Sequence, residues 1–284
     1  MRPRLATALS IAALGLALVA PTAPASASTG GTVDTENKYS GVALIAFYDD
    51  GDRYRCSATL VSPTVLLTAA HCTDGVEGLT AVTFKPIIAE TPPAGLPIAA
   101  NPAAGYTSAD ITAAGYLAGQ GYTHPDYSNF TDMDNWNDVA VIELEQPAPA
   151  NVAITPIAEE GTLDLIPRRN LRSTLFRAVG YGTEVRKAES GPQKPTPMSY
   201  PLVRRYVDMP GQKLTAQILQ TNGNEHDNAG TGGTCFGDSG GPLLLDGEIV
   251  GVTSYGYTSN CRYIGGYQRV DIGVVQEWLA TFGL

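Results

Sequence analysis

Short apolar runs separated by turn residues recur along most of the chain, and each reads as a strand. Val65-Leu66-Leu67 leads into the small residues Thr68-Ala69-Ala70, and Val139-Ala140-Val141-Ile142 follows Asn137-Asp138. Leu243-Leu244-Leu245 and Ile249-Val250-Gly251-Val252 flank Asp246-Gly247, a pair whose tolerance of positive φ suits the tight turn of a β-hairpin. Helical spacing is clearest at the C-terminus, where Val274, Val275, Trp278, Leu279 and Phe282 recur on one face, with Asp271 ahead of them as a cap. With 31 glycines and 20 prolines among 284 residues, this pattern predicts an all-β fold of two small barrels and little helix. The Gln146-Pro147-Ala148-Pro149 break sets the barrel boundary, giving units of about 28–155 and 156–284. Residues 86–121, rich in Ala, Gly and Pro, read as an inserted surface loop, and 191–201, with four prolines, as a second exposed loop.

The first 27 residues follow a different pattern. Met1-Arg2-Pro3-Arg4 is basic, Leu5 to Ala20 is apolar, and Ala25-Ser26-Ala27 is a small-residue cleavage site, so a signal peptide and a secreted, extracellular protein are expected. No later segment approaches the ~20 apolar residues of a membrane span. The net charge is −10, and loss of residues 1–27 removes Arg2 and Arg4 but no acid, leaving −12. Such acidity makes the protein a poor candidate for nucleic acid or anionic membrane, and neither is expected as a partner. The 4 cysteines allow three disulfide pairings after export, and no Cys-x-x-Cys spacing suggests zinc. Asp132-Met133-Asp134 and Asp49-Asp50-Gly51-Asp52 lack the Gly and terminal Glu of an EF-hand loop and read as solvated turns. Neither a metal nor a cofactor is expected.

Candidate chemistry centres on Gly237-Asp238-Ser239-Gly240-Gly241-Pro242. A serine hydroxyl is a weak nucleophile without a base and without donors for the oxyanion it creates. Glycines around Ser239 permit a tight turn in which the N–H groups of Gly237 and Ser239 point into one space. The plain alternative is a glycine-rich surface turn with a solvated serine. Gly-x-Ser-x-Gly also marks the nucleophile elbow of α/β-hydrolases, in which the histidine follows the serine and a helix begins at it. Here His71, His124 and His226 all precede Ser239, and a hairpin follows, which excludes that architecture. His71, at the end of an apolar run and beside Cys72, is the best base, whereas His124 and His226 read as ordinary loop residues. A base histidine needs a buried carboxylate to orient it. Asp138, opening an apolar strand, is the first candidate, ahead of Asp132 and Asp134 in a polar loop.

These pieces together resemble the chymotrypsin-like serine proteases (trypsin fold, S1 family), of the secreted bacterial type. The signatures stand as Thr68-Ala69-Ala70-His71-Cys72, Asn137-Asp138-Val139-Ala140-Val141 and Gly237 to Pro242, in that order. Val179-Gly180-Tyr181-Gly182-Thr183, Ser254-Tyr255-Gly256 and Gly266-Tyr267-Gln268-Arg269-Val270 add smaller matches. The resemblance implies two packed six-stranded antiparallel β-barrels with a C-terminal α-helix. It implies a peptide-bond hydrolase with His71 as base, Asp138 as its orienter, Ser239 as nucleophile, and Gly237 and Ser239 as oxyanion donors. It also implies disulfides Cys56–Cys72 and Cys235–Cys261.

By the same resemblance, the pocket for the side chain before the cut is formed by Gly233, Thr234, Gly256 and Gly265, none of them charged. Burying an unpaired Arg or Lys there is costly, so uncharged apolar or aromatic side chains are expected. Ser254, Tyr255 and Gly256 are expected to pair with an extended peptide. Family members usually pair a newly freed Ile amine with the acid before the nucleophile, here Asp238. No Ile-Val-Gly-Gly occurs, but Ser28-Thr29-Gly30-Gly31 follows the cleavage site, so Ser28 and Asp238 form the expected activation pair. Peptide or protein substrates and a monomeric state are expected. A protease-fold binding protein without turnover and a serine esterase on the same fold are the alternatives.

Overall fold

The computed structural model describes residues 31–90, 95–185, 198–224, 232–261 and 263–284, with Val185 described by its backbone alone. The signal segment, Ser28, His226 and most of the proline-rich loop lie outside these residues. Strand β1 (Thr32–Val33) is followed by β2 (Val42–Asp49), β3 (Asp52–Ser62), β4 (Val65–Thr68) and β5 (Glu77–Thr83). After an outlying β6 (Ile87–Ala89) come β7 (Leu117–Thr123) and β8 (Ala140–Leu144). Six of these close a first antiparallel barrel in the order β2-β3-β4-β8-β7-β5.

The second half runs through β9 (Leu175–Gly180), a two-stranded ribbon of β10 (Glu184–Val185) and β11 (Met198–Ser199), and β12 (Leu202–Val203), which pairs with β6. Then follow β13 (Arg205–Leu214), β14 (Ile218–Asn222), β15 (Pro242–Leu245), β16 (Glu248–Gly256) and β17 (Ile264–Arg269). The order β13-β14-β17-β16-β15-β9 closes through a β9–β13 pairing into a second six-stranded barrel. The β15–β16 hairpin turns at Asp246 (φ 52°) and Gly247 (φ 92°), as its sequence predicts.

Strand β2 explains why its apolar run is continuous rather than alternating. Ala43, Ile45 and Phe47 fill the first barrel with Leu60, Leu66, Val82 and Ile142. Val42, Leu44 and Ala46 belong instead to the cluster that joins the barrels, with Leu67, Val141, Val179, Leu202 and Val252. Both faces of β2 are thus dry. The second barrel has its own core around Phe176, Val207, Met209, Leu219, Leu243 and Val250. Full burial of each such side chain contributes roughly 1.5–3 kcal/mol.

A fully buried ion pair ties the barrels to the N-terminal segment. Arg204 Nε donates to Asp34 Oδ2 at 2.9 Å, and Nη1 donates to the carbonyls of Val42 at 2.8 Å and Phe84 at 3.1 Å. Nη2 donates to Asn37 Oδ1. Asp34 also accepts the amides of Lys38 and Tyr39. Taking two ions out of water is costly, and these additional bonds offset much of that cost.

Three expectations need correction. Residues 86–121 are more than a surface loop: they hold β6, helix α1 (Ser108–Ala113) and the first part of β7, and Ile111, Tyr106 and Tyr116 are buried. A capping box between Thr107 and Asp110 starts α1, a signal available in the sequence as Thr-x-x-Asp. Thr32–Val33 pair with Tyr206 and Arg205 of β13, so this stretch joins the second barrel although it precedes the first. Asp271 does not cap α2 (Gly273–Ala280), for its carboxylate accepts Arg269 Nε at 2.9 Å and the Leu163 amide at 2.7 Å. His124 lies in a loop directly after β7, as expected, but is buried there. It is 2% exposed, with its ring 4.9 Å from that of Trp278 on α2, because the helix folds back onto the end of β7.

Candidate active site

His71 lies in a single 3₁₀ turn, Ala70–Cys72, directly after β4. The small residues Ala69 and Ala70 are fully buried and let the chain turn without displacing the core. Cys72 is joined to Cys56 of β3, which anchors the turn to the neighbouring strand. Cys56, His71 and Cys72 lie within metal-binding reach of one another, yet both sulfurs are spent in that bridge and neither is a thiolate ligand.

Asp138 sits just before β8 and is 0% exposed. Its Oδ2 is 2.9 Å and its Oδ1 3.1 Å from His71 Nδ1, and Oδ1 also accepts the His71 amide at 2.9 Å. A carboxylate at Nδ1 places the ring proton there and leaves Nε2 as the basic nitrogen. Ser254 Oγ donates to Asp138 Oδ2 at 2.6 Å and itself accepts from Trp136 Nε1 at 2.9 Å. The Asp138 amide donates to Gln268 Oε1 at 3.1 Å. The carboxylate is therefore held from both barrels. Sequence reasoning had given Ser254 only a substrate-pairing role and had missed Gln268 and Trp136.

Ser239 arrives from the second barrel on a segment without regular structure. Its carbonyl accepts the amide of Ser57 in β3 at 2.8 Å, and the Gly240 amide donates to Thr253 in β16 at 2.8 Å. Gly240 (φ 74°) lies so close to the end of β4 that a Cβ there would be 2.1 Å from Thr68 Oγ1 and 2.8 Å from the Ala69 amide. The nucleophile loop thus abuts the turn that carries His71. Among the described residues no hydrogen bond joins Ser239 Oγ to the His71 ring. Neither the Gly237 nor the Ser239 amide meets a backbone acceptor among the described residues. Two unpartnered donors on either side of Asp238 are what an incoming oxyanion requires.

Asp238 is 2% exposed. Its Oδ1 accepts the Gly182 amide and its Oδ2 the Cys235 amide, each at 2.8 Å. Gly182 has no alternative, since a Cβ would stand 2.0 Å from that carboxylate. Arg55 lies beside Gly237, and burial pushes its guanidinium below the ordinary value, opposed by the charge of Asp238.

A cleft of about 360 Å³ opens beside Ser239. Of the positions expected around the pocket, Thr234, Ser254, Tyr255 and Gly256 line it, with Phe236 and the Cys235–Cys261 bridge, and no charged side chain is among the described lining residues. Gly233 and Gly265 stand outside that lining. Gly233 packs on Gly223, where a Cβ would meet the Gly223 Cα at 2.9 Å, and Gly265 backs onto Thr234 and Tyr267. Tyr267 Oη is 3.1 Å from Thr234 Oγ1, and burial holds that phenol up at about 12, so it is a neutral partner. The Tyr255 ring lies over Gly266 and 5.4 Å from Trp136, which in turn neighbours Phe130. Phe130 (φ 63°) reaches to 5.6 Å from the His71 ring, an apolar neighbour the sequence reading did not single out. Strand β15 covers only Glu248–Val252 of β16, and among the described residues no strand lies beside the same edge at Ser254–Gly256.

Two barrels with a serine, a histidine and a buried carboxylate at their junction define the class of two-barrel serine hydrolases. The chain belongs to the trypsin family, whose profile matches residues 30–279. It is 30% identical to brachyurin of Leptuca pugilator over 259 residues, covering 89% of this chain and 96% of that protein. It is 28% identical to a trypsin of Phaedon cochleariae (79% and 77% covered) and 25% identical to kallikrein-8 of Mus musculus (75% of each). Among solved structures, an HL collagenase (TM-score 0.60, 17% identity, 89% and 98% covered) and human heparin binding protein (TM-score 0.58, 17% identity, 89% and 95% covered) share the fold. The protein is a serine endopeptidase acting on peptide or protein substrates. These sequence relatives are animal proteins and lend no support to a bacterial type.

Proposed function

We propose that this chain is a secreted serine endopeptidase that cleaves after uncharged, apolar or aromatic side chains through an acyl-enzyme. The observation that carries the reading is the His71–Asp138 contact, doubly bonded and buried, at the foot of the loop that bears Ser239. Ser239 Oγ attacks the scissile carbonyl as its proton passes to His71 Nε2. The C–N bond then breaks and the amine leaves with that proton. Water repeats the sequence on the ester, returning Ser239. Asp138 holds the ring and stabilises the imidazolium, while the Gly237 and Ser239 amides receive the oxyanion.

The open edge at Ser254–Gly256 favours an extended peptide added as a strand, its side chain entering the uncharged cleft. We further read residues 1–27 as removed on export, which frees the Ser28 amine for Asp238. Thr32–Val33 support this, because their β13 partners pair in turn with Val179–Gly180 of β9, and Gly180 adjoins the Asp238 carboxylate. Four extended residues span up to about 14 Å, enough to cross two strands. We take the active form as a monomer.

Fluorophosphonate labelling of the wild type, set against Ser239→Ala, tests the nucleophile, and cleavage of a mixed peptide library reads the preference. Labelling with peptide cleavage after apolar or aromatic residues is the expected outcome. Labelling with ester turnover alone makes the chain an esterase, no labelling makes it a binding protein, and selectivity for Arg or Lys overturns the pocket reading. N-terminal sequencing of fully active secreted protein that begins elsewhere than Ser28 overturns the activation pair.

A further inference from the structure

We propose that Ser57 is a positioning residue for the oxyanion hole, locking Gly237 from the opposite barrel through its side-chain hydroxyl. This rests on the reading of Gly237 as an oxyanion donor. Ser57 lies in β3 of the first barrel, is 0% exposed, and is far from the cleft in sequence. Its Oγ donates to the Gly237 carbonyl at 2.8 Å and accepts the Tyr181 amide at 3.0 Å. A hydroxyl has one proton to give, so with this orientation its donor is committed to Gly237 and an acceptor to Tyr181. The main chain of the same residue completes the grip. The Ser57 amide donates to the Ser239 carbonyl at 2.8 Å, and the Ser57 carbonyl accepts Thr68 Oγ1 at 2.8 Å, which ties it to the end of β4.

One residue thus reaches both sides of Asp238, with its hydroxyl on the Gly237 side and its amide on the Ser239 side. The Gly237 side needs that hydroxyl. Gly237 sits at φ 98°, where a Cβ would be 2.9 Å from the Tyr181 carbonyl, so only glycine fits there. Glycine has no intrinsic preference for that hand and samples the alternatives freely. The Gly237 N–H lies in the Phe236–Gly237 peptide, whose carbonyl accepts the Thr183 amide at 2.7 Å and Thr183 Oγ1 at 2.9 Å. The Ser57 hydroxyl, with the bond from the Asp238 amide to the Cys235 carbonyl, holds the next peptide plane and so sets ψ of Gly237. Without the Ser57 hydroxyl, the Gly237 carbonyl and the Tyr181 amide would both be buried without their partner. Relaxation of the Gly237–Asp238 peptide and of the Tyr181–Thr183 segment that holds the Phe236 carbonyl would then shift the Gly237 N–H relative to the Ser239 N–H. The ground-state peptide, held by the strand edge and cleft, would not sense that shift.

The test compares Ser57→Ala and Ser57→Thr with the parent, every preparation being titrated with a fluorophosphonate so that rates refer to reactive sites. A chromogenic peptide anilide reports turnover. A peptidyl trifluoromethyl ketone reports affinity for a tetrahedral oxyanion, and the matching unreactive peptide amide reports affinity without one. Ser57→Ala should lose about tenfold to a hundredfold in kcat per site with KM little changed, since one oxyanion donor is misplaced rather than removed. Ketone affinity should fall in step, amide affinity should hold, the pH of the acidic limb should not move, and Ser57→Thr should recover most of the rate. An unchanged kcat per titrated site in Ser57→Ala overturns the proposal. So does a loss shared equally by ketone and amide, which marks a merely structural residue. If Ser239→Ala retains turnover, the reading of the active site fails instead, whatever the Ser57 variants do.

Discussion

In the first barrel the candidate reacting side chains hang from the ends of strands: His71 follows β4 and is braced by a disulfide, and Asp138 stands just before β8. In the second barrel Ser239 sits on an irregular stretch whose shape comes from glycines and from hydrogen bonds reaching in from Ser57, Thr253 and Gly182. The contrast follows from what each barrel must supply. A base and its orienter need a fixed distance, which strands provide. A nucleophile with two unpartnered amides needs backbone that is not in a ladder, and such backbone must be held by something else.

The largest test of this division is Ser239→Ala. Turnover should fall by about 10⁶ in kcat while the melting temperature stays near that of the parent, because the hydroxyl makes no hydrogen bond among the described residues. Kinetics and a thermal melt on the same preparation check both halves. Asp138→Asn should cost roughly 10⁴ in kcat with the geometry kept, since an amide N–H facing Nδ1 imposes the wrong tautomer. A variant with near-parental kcat would show that the first barrel does not orient its base through Asp138.

Arg204→Met sharpens the comparison at the seam rather than in either barrel. It leaves Asp34 buried without its cation, so urea unfolding should show a loss of about 3–5 kcal/mol. A loss below about 1 kcal/mol would mean the Arg204–Asp34 pair adds little to the seam beyond its apolar packing and its other hydrogen bonds. The smallest effect concerns His124. Burial lowers its pKa, and its Nδ1 accepts the Asp126 amide at 3.1 Å, a bond that protonation at Nδ1 would break. With the folded value depressed, its contribution is whole above the unfolded value of about 6.5 and declines as pH falls through the folded one. The melting temperature of the parent should therefore drop more steeply between about pH 7 and pH 5 than that of His124→Gln. Equal slopes would place the acid sensitivity elsewhere.

Much of the site was legible because its chemistry needs particular residues at particular backbone positions. Gly237, Gly240 and Gly241 announce a loop with no room for side chains, and each has a neighbour within 3 Å of where a Cβ would stand. The apolar run after Asp138 marks an acid drawn into the core. Less legible were partners that depend on which strands become neighbours. Ser254, Gln268 and Trp136 are remote from Asp138 or ordinary in type, and Ser57 is an unremarkable serine in an apolar strand. Residues 86–121 were misread because small residues and prolines mask a short capped helix, and Asp271 was misread because Arg269, two residues away, outcompetes a helix amide for its charge.

The sequence by itself determined the set of candidate reacting residues, the exclusion of a nucleophile elbow by the order of its histidines, the hairpin after Ser239 and the uncharged character of the candidate pocket residues. These are matters of local conformation and chemical type, which short stretches specify. Tertiary structure alone decided that Ser254 and Gln268 hold Asp138, that Thr32–Val33 pair with the second barrel, and that Ser57 grips Gly237 across the seam. A hydrogen bond between residues 180 positions apart leaves no periodicity or spacing behind; it exists only once two barrels have closed and their dry faces have met.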